Sequence, residues 1–488
     1  MTSFALYRLP YEQQVTLVAQ TEGRPVELQS LAQLDGQNGF VVAPFAIGGD
    51  CPLVVIRPDV VETFPDVDSS RQRFQALQQC SRQRFQALQG QSSLRQCYAD
   101  DFQRFHEQLA KERFRKIVLS RCASISMQSL EASPTNLQSL EASSTNSQRW
   151  EALPTTAFWR ACKLYPRLFI ALVSTPQTGT WLTATPEVLL ENTAEGQWHT
   201  MALAGTMRLD DAGGLRQAEY AGGLRQAKDP TMMVGKGLLP DDDYSCIRWS
   251  EKNIEEQRLV ASYIANCLNR FSDDVVETGP RTVRAANLVH LRSDFHFTLR
   301  KAPAAPLPCR GGAGVGVSNV FSARKIQTPP PTPPLEGRGA AAPSFAAERG
   351  SYGNTASVGR LLEALHPTPA VCGLPKDEAF RFILDNEHTP RRYYSGFMGP
   401  LFSSQFTVHS SQLNAQFSKF NVQCSMGTHL FVSLRCMNIA SDFYHLYAGG
   451  GLLKSSTEEQ EWQETEAKME TMRRCVYCSS SASMSPSM

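Results

Sequence analysis

The length, charge and cysteine content of the chain exclude several classes of protein. It has 488 residues and a formal net charge of +1 at pH 7, so neither nucleic acid nor a charged membrane surface is expected as a partner. No apolar run reaches the length of a membrane span, and the 13 cysteines lack the paired spacing of a zinc site. We therefore expect a cytoplasmic protein with reduced thiols.

The first part of the chain, residues 1–95, is predicted to form strands and one helix that pack against the rest. Residues 39–45 and 52–57 are apolar runs rich in valine and phenylalanine, which is typical of strands. Short tandem duplications also interrupt the chain, and their copies lie at 70–78 and 81–89, 128–136 and 138–146, and 212–218 and 221–227. These copies are too short for a solenoid and are interpreted as insertions in loops or a surface helix.

A strand predicted at residues 114–120 carries a lysine on the face it shares with Phe114. Partial burial of Lys116 would lower its pKa and leave a free amine able to take a proton from water. Further along, Glu187 precedes an apolar Val-Leu-Leu run, where burial would raise its pKa toward that of a general acid. The alternatives are a lysine that extends to solvent from a strand end and a solvent-facing glutamate.

A helix at residues 252–268 carries a carboxylate on its apolar face. Glu256 shares a stripe with Val260, Tyr263 and Cys267 because these positions follow helical spacing. A carboxylate among apolar neighbours must be protonated, paired or bound to a metal ion. The alternative is the polar edge of an ordinary amphipathic helix.

Two insertions and a tail interrupt or extend the second half of the chain. Residues 302–356 are rich in proline, glycine and alanine and are predicted to be disordered or polyproline. Residues 402–427 could form an extended hairpin, and residues 477–488 are predicted to be a disordered tail. A strand at residues 429–436 would place Arg435 on the same face as the alternate residues before it.

An apolar strand, a triple glycine and an acidic helix follow one another near the C-terminus. The glycines Gly449 to Gly451 are predicted to form a turn whose consecutive N–H groups could hold an anion. In the next helix, Glu461, Glu464 and Lys468 share one face. Together they predict one arm of a site that binds an anion through Mg²⁺ and backbone amides.

Blocks that carry a family resemblance run in one order through the chain. They are Phe114 to Arg121, Ala184 to Leu190, Ala202 to Thr206, Lys252 to Val260, Leu365 to Gly373, Arg391 to Gly396, Val432 to Arg435, and Tyr447 to Leu452 with the acidic helix. In this order they resemble the signature blocks of the chorismate-utilising enzymes. The resemblance implies an α/β (α+β) catalytic domain over residues 96–476, with two packed, mostly antiparallel sheets flanked by helices and a site in the cleft between them.

Two positions indicate the branch of that family. A lysine at Lys116 resembles the isochorismate and salicylate synthases, where it is the base for the attacking water, and the ammonia-using anthranilate branch usually lacks it. The aminodeoxychorismate branch has a nucleophilic lysine where this chain has Ala204. The resemblance therefore implies an isochorismate synthase, an isomerase that adds water at C2 of chorismate and expels the C4 hydroxyl, for menaquinone or siderophore biosynthesis. A salicylate synthase and an impaired chorismate-binding protein from a damaged gene are the alternatives.

The resemblance also implies roles for individual residues. Lys116 would be the general base and Glu187 the general acid. Mg²⁺ would bind Glu256 and Glu464, and Glu461 would lie next to these ligands without contacting the ion.

Substrate contacts are implied in the same way. Arg435 would clamp the pyruvyl carboxylate with its planar guanidinium, and His366 would orient the C4 hydroxyl. The remaining contacts would come from Gly205, Thr206, Gly449, Gly450, Gly451 and Lys468.

Overall fold

Strands and helices account for most of the residues that the structure describes. A computed structural model of the chain describes residues 3–65, 91–127, 146–192, 196–208, 247–286, 288–300, 357–403 and 427–476. In chain order, the strands are Ser3–Arg8 (β1), Val15–Gln20 (β2), Val26–Leu28 (β3), Gly39–Ala43 (β4), Leu53–Ile56 (β5), Val60–Phe64 (β6), Lys116–Ser126 (β7), Phe169–Thr175 (β8), Gly179–Thr185 (β9), Val188–Asn192 (β10), Gln197–Arg208 (β11), Val276–Ala285 (β12), Leu288–Thr298 (β13), Gly373–Leu374 (β14), Phe397–Leu401 (β15), His429–Val432 (β16), Cys436–Ile439 (β17) and Phe443–Leu452 (β18). The α-helices are Gln91–Ala110 (α1), Asn146–Leu164 (α2), Glu251–Leu268 (α3), Val358–Leu365 (α4), Lys376–Asn386 (α5) and Glu458–Val476 (α6).

These strands form two antiparallel sheets. The first sheet has the spatial order β14-β7-β18-β17-β9-β8-β1-β2-β6, and the second has the order β12-β13-β11-β10-β16-β15-β4-β5-β3. The N-terminal strands belong to both sheets, because β1, β2 and β6 extend the first and β3, β4 and β5 extend the second. The predicted boundary at residue 95 falls inside α1.

The inner faces of the two sheets meet in an apolar core. Phe169 of the first sheet stacks on Phe431 of the second with ring centroids 4.1 Å apart, and both side chains are buried. The outer faces are covered by helices, with Phe158 of α2 against the first sheet and Ile264 of α3 against the second. The predicted fold class, two packed antiparallel sheets flanked by helices, is therefore confirmed.

The strand predicted at residues 429–436 is wrong as a single element. β16 ends at Val432 in the second sheet, and β17 begins at Cys436 in the first. Arg435 lies in the crossing between them with φ 45°, a left-handed conformation that is uncommon for a side chain larger than glycine. Strand alternation therefore does not decide where Arg435 points.

The triple glycine is a continuous part of a strand and not the predicted turn. Gly449, Gly450 and Gly451 lie in β18 and pair with Ser120, Leu119 and Val118 of β7. In an antiparallel ladder, successive N–H groups point to opposite sides of the strand. Consecutive amides of this segment therefore cannot converge on one anion.

Several predicted segments lie outside the described residues. These are the insertion at 302–356, the tail at 477–488, the tandem copies except for Asn146, and the insertion at 402–427 except for its first two residues and its last. Of the helices that the structure does describe, none combines the length and the apolar character that a membrane span needs.

The stacked pair between the sheets gives a test of the core. We expect Phe169→Ala to lower the free energy of unfolding by about 3–5 kcal/mol, because it leaves a cavity between two rigid sheets. Chemical denaturation measures the change. Leu384→Ala removes a side chain that is 51% exposed and should stay within about 0.5 kcal/mol of the parent. Equal losses in the two variants would contradict this account of the core.

Candidate active site

A cavity is lined by residues from both sheets and from two of the helices that flank them. Eight of the residues predicted for the site line it: Glu187, Gly205, Thr206, Glu256, Arg435, Gly449, Gly451 and Lys468. Lys116, Gly450, Glu461 and Glu464 adjoin these residues through the contacts given below. His366 is the predicted residue that the fold does not bring there.

Lys116 and Glu256 form a buried ion pair beside the cavity. Lys116 begins β7 and its side chain is fully buried, with Nζ 2.9 Å from Oε1 of Glu256. Burial alone would raise the pKa of Glu256, but the ammonium groups of Lys116, Lys468 and Lys252 outweigh it and lower this pKa. The structure thus gives Lys116 a carboxylate partner, whereas the sequence analysis considered only its burial.

The Gly205–Thr206 pair forms a bulge in β11. The pairing of β11 with β13 shifts register between Ala204 and Thr206, and Gly205 has φ +70°. A Cβ atom at Gly205 would lie 3.2 Å from the backbone oxygen of Asn253 in α3. The bulge turns the N–H of Gly205 toward α3, where it donates to Oε2 of Glu256 at 3.2 Å.

The glycines of β18 allow carboxylates to approach the backbone. A Cβ atom at Gly451 would lie 2.2 Å from Oε1 of Glu256, and one at Gly450 would lie 2.7 Å from Oε2 of Glu461. Oε1 of Glu464 would lie 3.8 Å from the same Gly450 position. The glycines are therefore explained by close approach of three carboxylates and not by an anion cradle.

The acidic helix supplies a second set of ion pairs. Oε1 of Glu461 lies 2.5 Å from Nζ of Lys252, and Oε1 of Glu464 lies 2.6 Å from Nζ of Lys468. Lys468 also donates to the carbonyl of Gly449 at 2.9 Å. Oε2 of Glu461 is buried with no hydrogen-bond partner, and burial, followed by the charge of Glu464, raises the pKa of Glu461 to about 7.

The donor set suits a hard divalent cation. Glu256, Glu461 and Glu464 approach one stretch of β18, and Mg²⁺ takes carboxylate oxygens while keeping several waters. The buried, unpartnered oxygen of Glu461 is an open acceptor that a cation would satisfy. Within the described residues, no group of three or more acidic, histidine or cysteine side chains could hold a metal ion by itself. A metal here would therefore need water or a ligand to complete its coordination.

Glu187 lies where the chain passes from the first sheet to the second, between β9 and β10. Its side chain is buried, and burial raises its pKa to about 8 although Lys116 and Lys468 oppose the shift. A carboxyl group with this pKa is mostly protonated at neutral pH and can donate a proton. The solvent-facing alternative does not apply to Glu187.

His290 of β13 also lines the cavity and was not found by the sequence analysis. Its Nδ1 lies 3.1 Å from the carbonyl of Gly205, and its Nε2 contacts the guanidinium of Arg435. Burial, followed by the charges of Arg435 and Lys468, lowers the pKa of His290 well below its usual value. The neutral ring therefore donates from Nδ1 to Gly205 and accepts from Arg435 at Nε2. The signal in the sequence was a histidine between apolar residues in a strand.

His366 lies at the C-terminal end of α4, away from the cavity lining. Its Nε2 donates to the carbonyl of Pro44 at 3.1 Å, and its ring packs edge-on against Phe397. Burial lowers the pKa of His366 to about 3 and keeps the ring neutral. From the same sequence block, Ala370 and Val371 reach the cavity instead.

Comparisons with known proteins agree with this architecture. Two family models, both described as chorismate binding enzyme, match residues 63–303 and residues 347–407 with 422–477, which together are most of the chain. The chain belongs to the chorismate-binding enzymes. The family resemblance predicted from the sequence blocks is thereby confirmed.

Individual relatives of this chorismate-binding enzyme align over shorter stretches. It is 38% identical to the isochorismate synthase MenF of Escherichia coli over 112 residues, which are 23% of this chain and 21% of the relative. It is 32% identical to the vibriobactin-specific isochorismate synthase of Vibrio cholerae over 108 residues, 22% of each chain. The aligned stretch thus spans less than a quarter of the length of either relative.

Solved structures extend the likeness in fold to nearly the whole chain. The menaquinone-specific isochorismate synthase MenF from Escherichia coli superposes with a TM-score of 0.58 at 17% identity, covering 97% of this chain and 88% of that one. DhbC from Bacillus anthracis superposes with a TM-score of 0.56 at 18% identity, covering 97% and 96%. At these identities the likeness establishes the fold.

The close approach of carboxylates to β18 gives a test at Gly451. In Gly451→Ala, the new methyl group would meet Oε1 of Glu256 at 2.2 Å and Cε of Lys116 at 2.8 Å. We expect the free energy of unfolding to fall by about 1–3 kcal/mol, because the buried ion pair must move. Gly48→Ala is the control, since nothing lies within 4 Å of a Cβ atom there. A Gly451→Ala variant as stable as the control would contradict this packing.

Proposed function

We propose that this chorismate-binding enzyme is an isochorismate synthase. It would add water at C2 of chorismate and release the C4 hydroxyl as water, so that the overall reaction is an isomerisation. The proposal is carried by one observation, a buried Glu187 that is mostly protonated at neutral pH and lines the same cavity as Arg435, close to Lys116. An acid, a base and a cationic clamp around one cavity are what this exchange of hydroxyl groups requires.

In this proposal, Glu187 and Lys116 divide the proton transfers. Lys116 pairs with Glu256 as an ammonium, and it would have to give up that proton before it accepts one from the water that attacks C2. Glu187 donates its proton to the departing C4 hydroxyl. The two proton transfers balance, because one water is consumed and one is released. General acid and base groups placed in this way each contribute roughly 10²–10⁴-fold to a rate.

The carboxylates of the substrate would be held by fixed positive charge. Arg435 offers a planar guanidinium held by His290, and it would take the pyruvyl carboxylate. Lys468, whose Nζ donates to the carbonyl of Gly449, would contribute to binding the ring carboxylate. Backbone groups at Gly205 and Thr206 would complete the contacts with it.

Mg²⁺ is proposed as the metal, held by Glu256 and Glu464. Glu461 is proposed to join them, since one of its oxygens is buried without a partner. When bound, the ion would supply positive charge that binds the ring carboxylate of the substrate.

A cytoplasmic role in menaquinone or siderophore biosynthesis is also proposed. The names of the relatives support both pathways, because one is menaquinone-specific and another is vibriobactin-specific.

The experiment that tests the function is product analysis after incubation with chorismate and Mg²⁺. We expect isochorismate, separated by chromatography, to form in the wild type and to disappear when the metal is chelated. Salicylate with pyruvate would instead identify a salicylate synthase. No product from folded protein would contradict the proposal and favour an impaired chorismate-binding protein.

Lys116→Arg tests the base in the same assay. Arginine keeps a positive partner for Glu256 but is not deprotonated at any ordinary pH, so we expect turnover to fall by about 10²-fold or more. Lys454→Arg is the matched control, because Lys454 is 67% exposed and pairs with Glu112 on the surface. Unchanged turnover in Lys116→Arg would remove Lys116 from the role of base.

The raised pKa of Glu187 predicts how activity depends on pH. The proton that Glu187 donates is present below about pH 8 and is lost as the pH rises through that value, so turnover should fall above it. Glu187→Gln should still bind chorismate by calorimetry but lose about 10²-fold or more of its turnover. Glu107→Gln, at a half-exposed carboxylate, is the control. Turnover that does not fall above about pH 8 would refute the acid assignment. An active Glu187→Gln variant would refute it as well.

Metal binding is tested through thermal stability. A ligand that binds only the folded state raises its unfolding midpoint, so we expect Mg²⁺ with chorismate to raise that of the wild type. Glu464→Gln should need about tenfold or more Mg²⁺ for the same rise, because an anionic oxygen is lost. Glu459→Gln, on the exposed side of α6, should respond like the wild type. An unchanged Mg²⁺ response in Glu464→Gln would exclude Glu464 as a ligand.

A further inference from the structure

A second cluster of charged side chains lies across the strands of the second sheet, away from the cavity. His199 of β11 pairs directly across the sheet with Glu191 of β10 and with His296 of β13. Glu191 pairs in turn with His429 of β16, so that the four residues form one row across neighbouring strands. Asp294 of β13 lies beside this row.

His199 is held between two carboxylates. Its Nδ1 lies 2.7 Å from Oε1 of Glu191, and its Nε2 lies 2.8 Å from Oδ1 of Asp294. Ionised carboxylates only accept hydrogen bonds, so both ring nitrogens must carry a proton and His199 is an imidazolium. Burial would lower the pKa of His199, but the bonds to Asp294 and Glu191 outweigh it and raise this pKa.

The carboxylates of this cluster are fully engaged. Burial would raise the pKa of Glu191, but hydrogen bonds from His199 and His429 lower it to about 2. The pKa of Asp294 is likewise lowered to about 2, mainly by His199 and Arg292 against the effect of burial.

Other charged and aromatic groups complete the surroundings of His199. Arg292 donates from Nε to Asp294 at 2.8 Å, and Arg281 of β12 lies 3.2 Å from its other oxygen. The ring of His296 stacks on that of His199 with centroids 4.8 Å apart, and burial followed by the charge of His199 lowers the pKa of His296. The cluster therefore joins five adjacent strands, β12, β13, β11, β10 and β16.

Four of these strands also carry the candidate active site. Glu187 immediately precedes β10, Gly205 lies near the end of β11, His290 lies in β13, and Arg435 follows β16. At about 3.3 Å per residue, Gly205 in β11 and His290 in β13 each lie roughly 20 Å along their strands from the charged row. At that distance His199 contacts neither the cavity nor a substrate, and it can act only through the strands.

We propose that His199 is a positioning residue, whose paired hydrogen bonds to Glu191 and Asp294 fix β10, β11 and β13, with β16 joined through Glu191, in the arrangement that brings Glu187, Gly205, His290 and Arg435 to one cavity. The inference rests on the proposed function, because the turnover of that site is one of its readouts. Displacements of about 1 Å that arise far from the reacting atoms can lower a rate by about 10²-fold.

The test compares His199→Gln with His296→Gln. A glutamine has one amide group and no charge, so it cannot donate to both carboxylates as His199 does. His296 is the control, because among the described residues it contacts the ring of His199 and forms no hydrogen bond to either carboxylate. We expect His199→Gln to lower kcat for chorismate by about tenfold or more. His296→Gln should retain wild-type turnover. Wild-type kcat in a folded His199→Gln variant would overturn the proposal.

Two further readouts do not depend on activity. Hydrogen exchange, followed by mass spectrometry, should become faster in β10, β11, β13 and β16 of His199→Gln and stay slow in the first sheet. The stability advantage of the wild type over this variant should be fully present below about pH 6.5, the unfolded pKa of histidine, and lost as the pH rises through the higher folded pKa. Uniform exchange across both sheets, or an advantage that does not depend on pH, would overturn the proposal.

The readouts separate the two proposals. A wild type that forms no product contradicts the proposed function, and the exchange pattern then decides the role of His199 on its own. If His199→Gln does not fold, Glu191→Gln removes one charge while keeping the shape of the side chain, and it should change exchange in the same strands. If His199→Gln does fold, the double variant with Glu191→Gln should lose less unfolding free energy than the sum of the two single losses, because the two side chains share the hydrogen bond from Nδ1 of His199 to Oε1 of Glu191. Additive losses would overturn the proposal.

Discussion

The candidate site depends on two crossings of the chain between the sheets. The link from β9 to β10 carries Glu187, and the link from β16 to β17 carries Arg435. The crossings are tied together, because the N–H of Val432 donates to the carbonyl of Glu187 at 2.9 Å and that of Ala184 donates to the carbonyl of Arg435 at 3.1 Å. Sheet pairing on both sides therefore fixes an acid and a guanidinium within one cavity.

A second constraint is the balance of buried charge around that cavity. An unpaired buried ion is unstable, so each buried carboxylate beside β18 has a lysine partner, as Glu256 has Lys116. Such a pair is stable only while both partners remain, because removing one leaves an unpaired buried charge. Binding of a cation or an anionic substrate would change which of these charged groups contact one another. The buried oxygen of Glu461 that has no partner is where this balance is incomplete.

The sequence predicted the parts of the site whose environment is set locally. Helical spacing put Glu256 on the apolar stripe of its helix, and the apolar run after Glu187 indicated burial, although the sequence left an exposed position open for both residues. Patterns failed where a neighbouring element decides the geometry. The triple glycine gave the expectation of a turn, although its real constraint is the approach of Glu256 and Glu461 from two helices. His290 was missed because a histidine in a strand shows its role only when Arg435 lies against it.

The sequence by itself indicated the family, because its ordered blocks are a property of the chain, and the resemblance then implied the two-sheet fold class and most of the residues that meet at the cavity. Tertiary structure alone decided that β16 and β17 belong to different sheets, that His366 bonds to Pro44, and that His199 lies between two carboxylates. The physical reason is that each of these depends on contacts between residues far apart in the chain. Register, crossing points and charge pairing across strands have no signature within any one segment.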